Sequence, residues 1–442
     1  MGIDIQPRGR AAPALALSRR PTLARSRSAL AVLALAGLVA CGLLICAHAA
    51  AGQSGFVPAS WHGLPGWMAG LLPGVGAPLT HGVFGPLFLA MCGCYAVALA
   101  LVRHLQPRLA IGAVVVLHAL FLLAPPLLSA DLFGYIEWAR LGAVHGLNPY
   151  THGSLSGAHD PVFAYMRWRA HMPSPYGPLF TLGSYALAPL SVAASLWALK
   201  AAAAAASLAI VWLVWDCARL LRIDPLPAAM LVGLNPLVLV WAVGGAHNDL
   251  IAVAATLLAV RLALAGRERA AGAGFAAAAA LKVSSGVALP FLIAGARRRR
   301  DALTGALVAG AAVVALALAA FGTGAAGMLR AQRDQQQLVA TASLPNQVGR
   351  WLGFGGITPG IRTLALALFA VAFAVLLART WRGMHWLTAA GWATLAMLAT
   401  SAWLMPWYVT WLLPLAALGR DRRLTAGALA MCAFVVVMRT PL

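Results

Sequence analysis

The sequence predicts an all-α integral membrane protein, a multi-pass helix bundle. Three observations carry that expectation. Hydrophobic residues make up 62% of the 442 and charged residues only 10%, the mean hydropathy is +0.83, and apolar runs long enough to cross a bilayer recur along the whole chain.

Taken in order, the runs at 29–51, 84–102 and 109–129 read as the first three spans. Those at 192–217, 228–245 and 249–265 form the next group, and 302–321, 361–379 and 424–439 complete the long ones. Shorter runs, broken by glycine and proline, lie at 178–190, 270–296 and 387–418. With each of the last two taken as a pair of helices, the expectation is about thirteen membrane helices. Residues 1–28 read as a basic cytoplasmic tail and 29–442 as one transmembrane unit, since no linker is long enough to release a soluble domain.

The formal net charge of +21 does not point to nucleic acid, because the arginines fall in short clusters between apolar runs. That is the pattern of cytoplasmic loops under the positive-inside rule. Arg8, Arg10, Arg19, Arg20, Arg25 and Arg27 place the N-terminus in the cytoplasm. The pairs and clusters at Arg103/Arg108, Arg219/Arg222, Arg267/Arg269, 297–300 and Arg420/Arg422/Arg423 should share that side. They do so only if 178–190 lies on the outer face instead of crossing. The helix after Arg222 then rises to deliver GGAHND (244–249) outward, and 270–296 goes out and back with Lys282 at its outer turn. A break beside a water-filled cavity is how a lone lysine in such a segment is tolerated.

The first run ends in AHA (47–49), which resembles a signal-peptidase site, yet it is longer than the apolar core of a signal peptide and reads as a retained anchor. All six cysteines lie in or at the ends of apolar helices and read as small core residues, not as a disulfide or metal set. Neither a metal-ligand spacing nor a glycine-rich phosphate loop is found, so no cofactor is expected.

Two large outward loops result, at about 130–191 and 323–360, and with the GGAHND and Lys282 turns they gather the polar residues on one side. On a helix starting at Ser129, the residues Asp131, Tyr135 and Trp138 share a face, with Leu132, Ile136, Ala139 and Ala143 on another. Asp131 suits either a catalytic carboxylate or a helix N-terminus. Asn248 and Asp249 suit a ligand contact or a cap, and Lys282 a phosphate contact or a snorkelling side chain. Tyr176, between prolines in SPYGP, should have a held ring.

The runs SADLFGYIEWARLGAVHGLNPYTHG, SPYGPLFTL, LNPLVLVWAVGGAHNDL and AAALKVSSGVALPFLIAG, in that order within residues 129–295, resemble the bacterial polyprenol-phosphate-mannose-dependent mannosyltransferases. The α-1,6-mannopyranosyltransferase group is the nearest in kind, and SLPNQVGRWLGFGG (343–356) is a weaker echo. The resemblance implies a GT-C type bundle in a bacterial cell membrane, with amphipathic outer-loop helices and an active site on the outer face. It implies Asp131 as the base of an inverting transfer from polyprenyl-phosphate-mannose to a glycan or glycolipid acceptor. Such a donor carries its own leaving group, so one carboxylate suffices. Tyr135, Tyr176, His247, Asn248 and Asp249 are the expected sugar contacts, with Lys282 first for the phosphate and Arg330, Arg333 and Arg350 as weaker candidates. Glu137, His152, His159 and Asp160 carry no assigned role. Another lipid-linked sugar such as arabinofuranose, a lipid-linked polymer ligase or flippase, and a transporter are the alternatives.

Overall fold

The computed structural model describes residues 19–60, 63–153, 156, 159–165 and 172–440, with backbone only over 19–24. Most of the expected basic tail, 1–18, therefore lies outside the described residues. Among those described there is no β-strand, and the elements follow the apolar runs closely.

Helix α1 (Arg19–Ala50) packs along α2 (His81–Ala100), and α3 (Pro107–Leu123) stops at Leu123 where APP breaks it. The run predicted to 129 thus ends early, and an extended stretch leads to α4 (Asp131–Ala143). The short α5 (Pro178–Ser184) precedes the long α6 (Val192–Leu220), whose Ser191 side chain caps it by accepting from Ala194 N. The expected single span 228–245 is two pieces bent by 49°, α7 (Pro225–Gly233) and a π-helical segment Leu237–Val243. Pro236 has no N–H to continue the ladder, and the Asn235 side chain takes the amide of Leu237 instead. Helices α8 (Asp249–Leu264), α9 (Glu268–Leu281), α10 (Leu289–Gly295), α11 (Arg299–Phe321), α12 (Gly327–Gln337), α13 (Leu344–Trp351), α14 (Pro359–Trp381), α15 (Trp386–Thr400), α16 (Val409–Leu418) and α17 (Arg422–Arg439) complete the bundle.

The count of about thirteen spans is not reached. Among the described residues, five helices are long and apolar enough to cross a membrane, or six if the bent pair is one span. The difference has a physical cause. Elements such as α3, α10, α15 and α16 are apolar but only 7–17 residues long, because proline, glycine and backbone breaks cut them and neighbouring helices cover them. Close approach holds α9 to α11. A Cβ on Gly272 would lie 1.9 Å from Ala302 O, and one on Gly305 1.9 Å from Arg269 O, so only glycine allows this backbone contact.

The bundle has two chemically distinct ends. One collects the arginine clusters. There Glu268 accepts the amides of Arg297 and Arg298 at 2.8 and 2.7 Å, Arg269 pairs with Asp301 at 3.0 Å, and Arg299 lies 3.8 Å over the Trp381 ring. The other end joins the loops: Leu127 N to Gly244 O at 3.0 Å, Asn148 Nδ2 to Phe321 O at 2.8 Å, and Ala340 N to Ala402 O at 2.9 Å. This division is the one the arginine spacing predicts.

Candidate active site

At the arginine-poor end, α4 is buried nearly all round; Asp131, Tyr135, Ile136, Glu137 and Trp138 are each 5% exposed or less. It is therefore not the amphipathic surface helix expected from its pattern. Its aromatic face packs on the segment 174–180, with Tyr135 edge-on to both Tyr176 and Phe180 at 5.2 Å and Trp138 tilted against Tyr176 at 5.6 Å. Tyr150 from the Asn-Pro-Tyr turn donates to Tyr176 O at 3.0 Å, so the turn holds the backbone that carries this ring.

Asp131 is the first residue of α4, its amide held by Ser129 Oγ at 3.2 Å. Its Oδ2 lies 3.7 Å from Nδ1 of the fully buried His247, and the His247 ring stacks on Trp407 with centroids 3.6 Å apart. Two non-glycine residues in left-handed backbone flank these groups, Leu128 at φ 65° and Ala246 at φ 53°. Strain of this kind, about 1–3 kcal/mol per residue, persists where the surroundings over-determine it. Here the Leu127–Gly244 bond ties the two strained turns together.

The same turn supplies the second carboxylate. Asp249, 0% exposed at the start of α8, accepts from Lys282 Nζ at 2.7 Å through Oδ2 and from Trp411 Nε1 at 2.7 Å through Oδ1. Lys282 sits where the chain is extended between α9 and a 3₁₀ turn. Its ammonium also reaches Asn248 Oδ1 at 3.5 Å and is ringed by Tyr176, Tyr408 and Trp411, with centroids at 5.3, 5.6 and 5.6 Å. Asn248 joins the two halves, because its Oδ1 also accepts from the Tyr135 hydroxyl at 3.3 Å. Burial, reinforced by Tyr176 and by the Asp131 and Asp249 carboxylates, pushes the Tyr135 phenol well up, so it stays a donor.

The fold thus brings together Asp131, Tyr135, Tyr176, His247, Asn248, Asp249 and Lys282. It does not bring in Arg330 on α12 or Arg350 on α13, both exposed, nor Arg333. Asp160 is committed elsewhere, to Arg140 at 2.9 Å and His145 at 2.8 Å, while His159 is exposed. Residues absent from the sequence reading complete the site. Trp407, Tyr408 and Trp411 come from the start of α16 and the 3₁₀ turn before it. Lys200 on α6, 0% exposed, donates to Phe121 O, Pro125 O and Gly244 O at 2.9, 3.4 and 3.3 Å, anchoring the GGAHND turn from below. Beside Tyr408 and Trp411 opens a cavity of about 350 Å³. Its lining mixes polar groups, among them Gln332, Gln336 and Arg362, with apolar ones such as Val287, Leu366 and Phe369. Among the described residues no three His, Cys, Asp or Glu side chains gather closely enough to hold a metal ion.

A buried carboxylate, a lysine in an aromatic ring and a half-polar cavity suit an amphiphilic anionic substrate. The family model described as alpha-(1->6)-mannopyranosyltransferase, N-terminal domain, matches residues 34–298, and one described as MptB C-terminal domain matches 339–442. Alpha-(1->6)-mannopyranosyltransferase A of Mycobacterium tuberculosis is 27% identical over 348 residues, 72% of this chain and 67% of that protein. Alpha-(1->6)-mannopyranosyltransferase B of Corynebacterium glutamicum is 24% identical over 67% of this chain and 56% of its own length.

Proposed function

Since the chain belongs to the alpha-(1->6)-mannopyranosyltransferase family, we propose that it is a membrane mannosyltransferase that moves mannose from polyprenyl-phosphate-mannose to a glycan or glycolipid acceptor at the outer face of a bacterial cell membrane. The observation that carries this reading is the pairing of two carboxylates with different duties. Asp249 accepts from Lys282 and Trp411 at 2.7 Å each, which suits it to positioning the lysine. Asp131, at the start of the buried α4 with its Oδ2 3.7 Å from Nδ1 of His247, is the carboxylate proposed for proton transfer.

In the proposed reaction the acceptor hydroxyl oxygen attacks the anomeric carbon from the face opposite the phosphate. The carbon–oxygen bond to the phosphate breaks, polyprenyl phosphate departs with the electron pair, and Asp131 takes the hydroxyl proton. A β-linked donor gives an α-linked product. Lys282 has three N–H donors; Asp249 and Asn248 engage two, which leaves one for a phosphate oxygen as charge builds there. The 350 Å³ cavity, whose lining mixes Arg362 and glutamines with apolar groups, suits a lipid phosphate and the start of its chain. Tyr135, Tyr176, His247 and Asn248 are the proposed sugar contacts.

The test is transfer of radiolabelled mannose from synthetic polyprenyl-phosphate-mannose in membranes holding equal amounts of wild type, Asp131→Asn and Asp131→Ala. Loss of transfer by about 100-fold or more in both, with donor binding retained, is the expected result. Transfer that survives both changes reduces Asp131 to a helix-terminal residue, and a wild type inactive with this donor overturns the donor assignment.

A further inference from the structure

At the arginine-rich end, away from the site above, a groove of about 970 Å³ runs between α2, α7, α16 and α17. Its length is set by α17: from Arg422 to Val437, fifteen residues at 1.5 Å each span about 22 Å. Its wall is apolar, with Leu99, Leu231, Leu429 and Val436. Its mouth is not, because Arg103, Arg420 and Arg422 line it there and all three are exposed.

The acidic neighbours at the mouth are already occupied. Asp421 accepts from Trp392 Nε1 at 2.9 Å and from the amides of Arg423 and Leu424 at 2.8 and 3.4 Å, and Asp224 caps α7 by accepting from Leu226 N at 3.1 Å. Among the described residues none of the three arginines makes an ion pair. Arg420 is moreover held at φ 53°, a left-handed conformation that favours glycine, so an arginine stands here against the backbone preference.

We infer that this groove binds one anionic diacyl phospholipid of the cytoplasmic leaflet, its phosphate among Arg103, Arg420 and Arg422 and its chains along α17. A leaflet is about 15 Å deep, which the groove exceeds, and basic pockets between membrane helices on that side recognise anionic head groups. The first eighteen residues of the chain, which carry Arg8 and Arg10, have the wrong charge to fill the mouth. Trp411 on α16 stands at the carboxylate site, and that helix runs on to Leu418, seven residues and about 10 Å away, with Arg420 beyond its end, so the lipid site is separate from the proposed catalytic one and does not rest on it.

Native mass spectrometry of the full chain in detergent, with equimolar dioleoyl-phosphatidylglycerol, dioleoyl-phosphatidylcholine or undecaprenyl phosphate, tests this. Wild type should retain one phosphatidylglycerol at least tenfold over phosphatidylcholine. Arg103→Gln/Arg420→Gly/Arg422→Gln should lose that preference, and Arg420→Gly also relieves the left-handed backbone and so protects the fold. Ala433→Trp, which fills the groove from an exposed position without touching the charges, should lower retention by a similar factor and decides the matter alone if the triple variant does not fold. Equal retention of phosphatidylcholine, displacement of phosphatidylglycerol by undecaprenyl phosphate, or retention unchanged by the folded variants would overturn the inference.

Discussion

Replacing Asp249 by asparagine isolates the contact on which the site is built. The carboxylate is fully buried and the Lys282 side chain is 14% exposed, with oxygen and nitrogen 2.7 Å apart. At that distance the attraction is about 6 kcal/mol for an effective dielectric near 20, most of it offset by the desolvation of both ions. What remains visible is the cost of stranding one of them, about 3–5 kcal/mol. Asparagine is a poor substitute for a second reason. The carboxylate accepts two N–H groups, from Lys282 and Trp411, whereas the amide presents one oxygen and one NH₂ and must set donor against donor at one of them. Asp249→Asn and Lys282→Met should therefore each lower unfolding free energy by about 3–5 kcal/mol, followed by tryptophan fluorescence along a dodecyl sulfate titration in mixed micelles. The double variant leaves no stranded charge and should recover at least about 2 kcal/mol relative to the sum of the singles. Losses that add to within about 0.5 kcal/mol would refute the coupling and with it the assignment of Asp249 as the residue that holds Lys282.

Other consequences follow from neighbouring contacts. Lys200→Met strips an ammonium from three buried carbonyls and should cost about 1–3 kcal/mol in the same titration, while lowering mannosyl transfer because Gly244 and the turn after it lose their anchor. Gly177→Ala would set a Cβ 2.0 Å from Ala280 O, so α5 and the end of α9 must part; a loss of about 1–3 kcal/mol is expected, with transfer reduced because Lys282 follows two residues later. Burial pushes the Asp160 carboxyl up, but hydrogen bonds from Arg140, His145 and the Val162 amide outweigh it and hold the group below its ordinary value. A depressed carboxyl contributes stability above the unfolded value near 3.8 and loses it as pH falls through the lower folded value, so limited proteolysis between 144 and 165 should accelerate below about pH 4 in wild type and be fast already at neutral pH in Asp160→Asn.

Much of the bundle is legible because helix ends in a membrane are marked by chemistry that a sequence displays. The arginine clusters fix which ends meet, and the lone Lys282 in an apolar run announces the break between α9 and α10. Lys200 in SLWALKAAAAAA is a second lone lysine, but α6 is unbroken there and the ammonium is met instead by the carbonyls of Phe121, Pro125 and Gly244. Trp407, Tyr408 and Trp411 carry no such mark. An aromatic at a helix end looks the same whether it faces lipid or rings an ammonium, and these three lie more than 120 residues from Lys282. Arg330 and Arg350 show the converse weakness: positive charge on the side where it is disfavoured suggests an anion, yet both are exposed, and Arg362 is the arginine that lines the cavity. The count of about thirteen spans is not confirmed because only five or six helices among the described residues are long and apolar enough by themselves, and Pro236 and the prolines before α4 cut runs that composition alone would join.

The distribution of charge within the cluster also bears on how a lipid phosphate would be recognised there. Lys282 and Asp249 together are neutral, so the site offers no strong net attraction for an anion at long range. Its selectivity must come from direction: one N–H held in place by Asp249 and Asn248, enclosed by three aromatic rings that exclude water and strengthen any bond it makes. In the proposed reaction the phosphate gains negative charge only as the sugar leaves, and a fixed donor of this kind favours that stage over the resting donor. In the same proposal Asp131 meets the matching requirement on the other side, because it would gain a proton as the phosphate gains charge. His247, stacked rigidly on Trp407 and 3.7 Å from Asp131, belongs to the same turn as Asn248 and Asp249. The proposed base and the proposed phosphate donor thus both adjoin three consecutive residues, and in that proposal a shift in the turn must disturb both ends of the reaction at once.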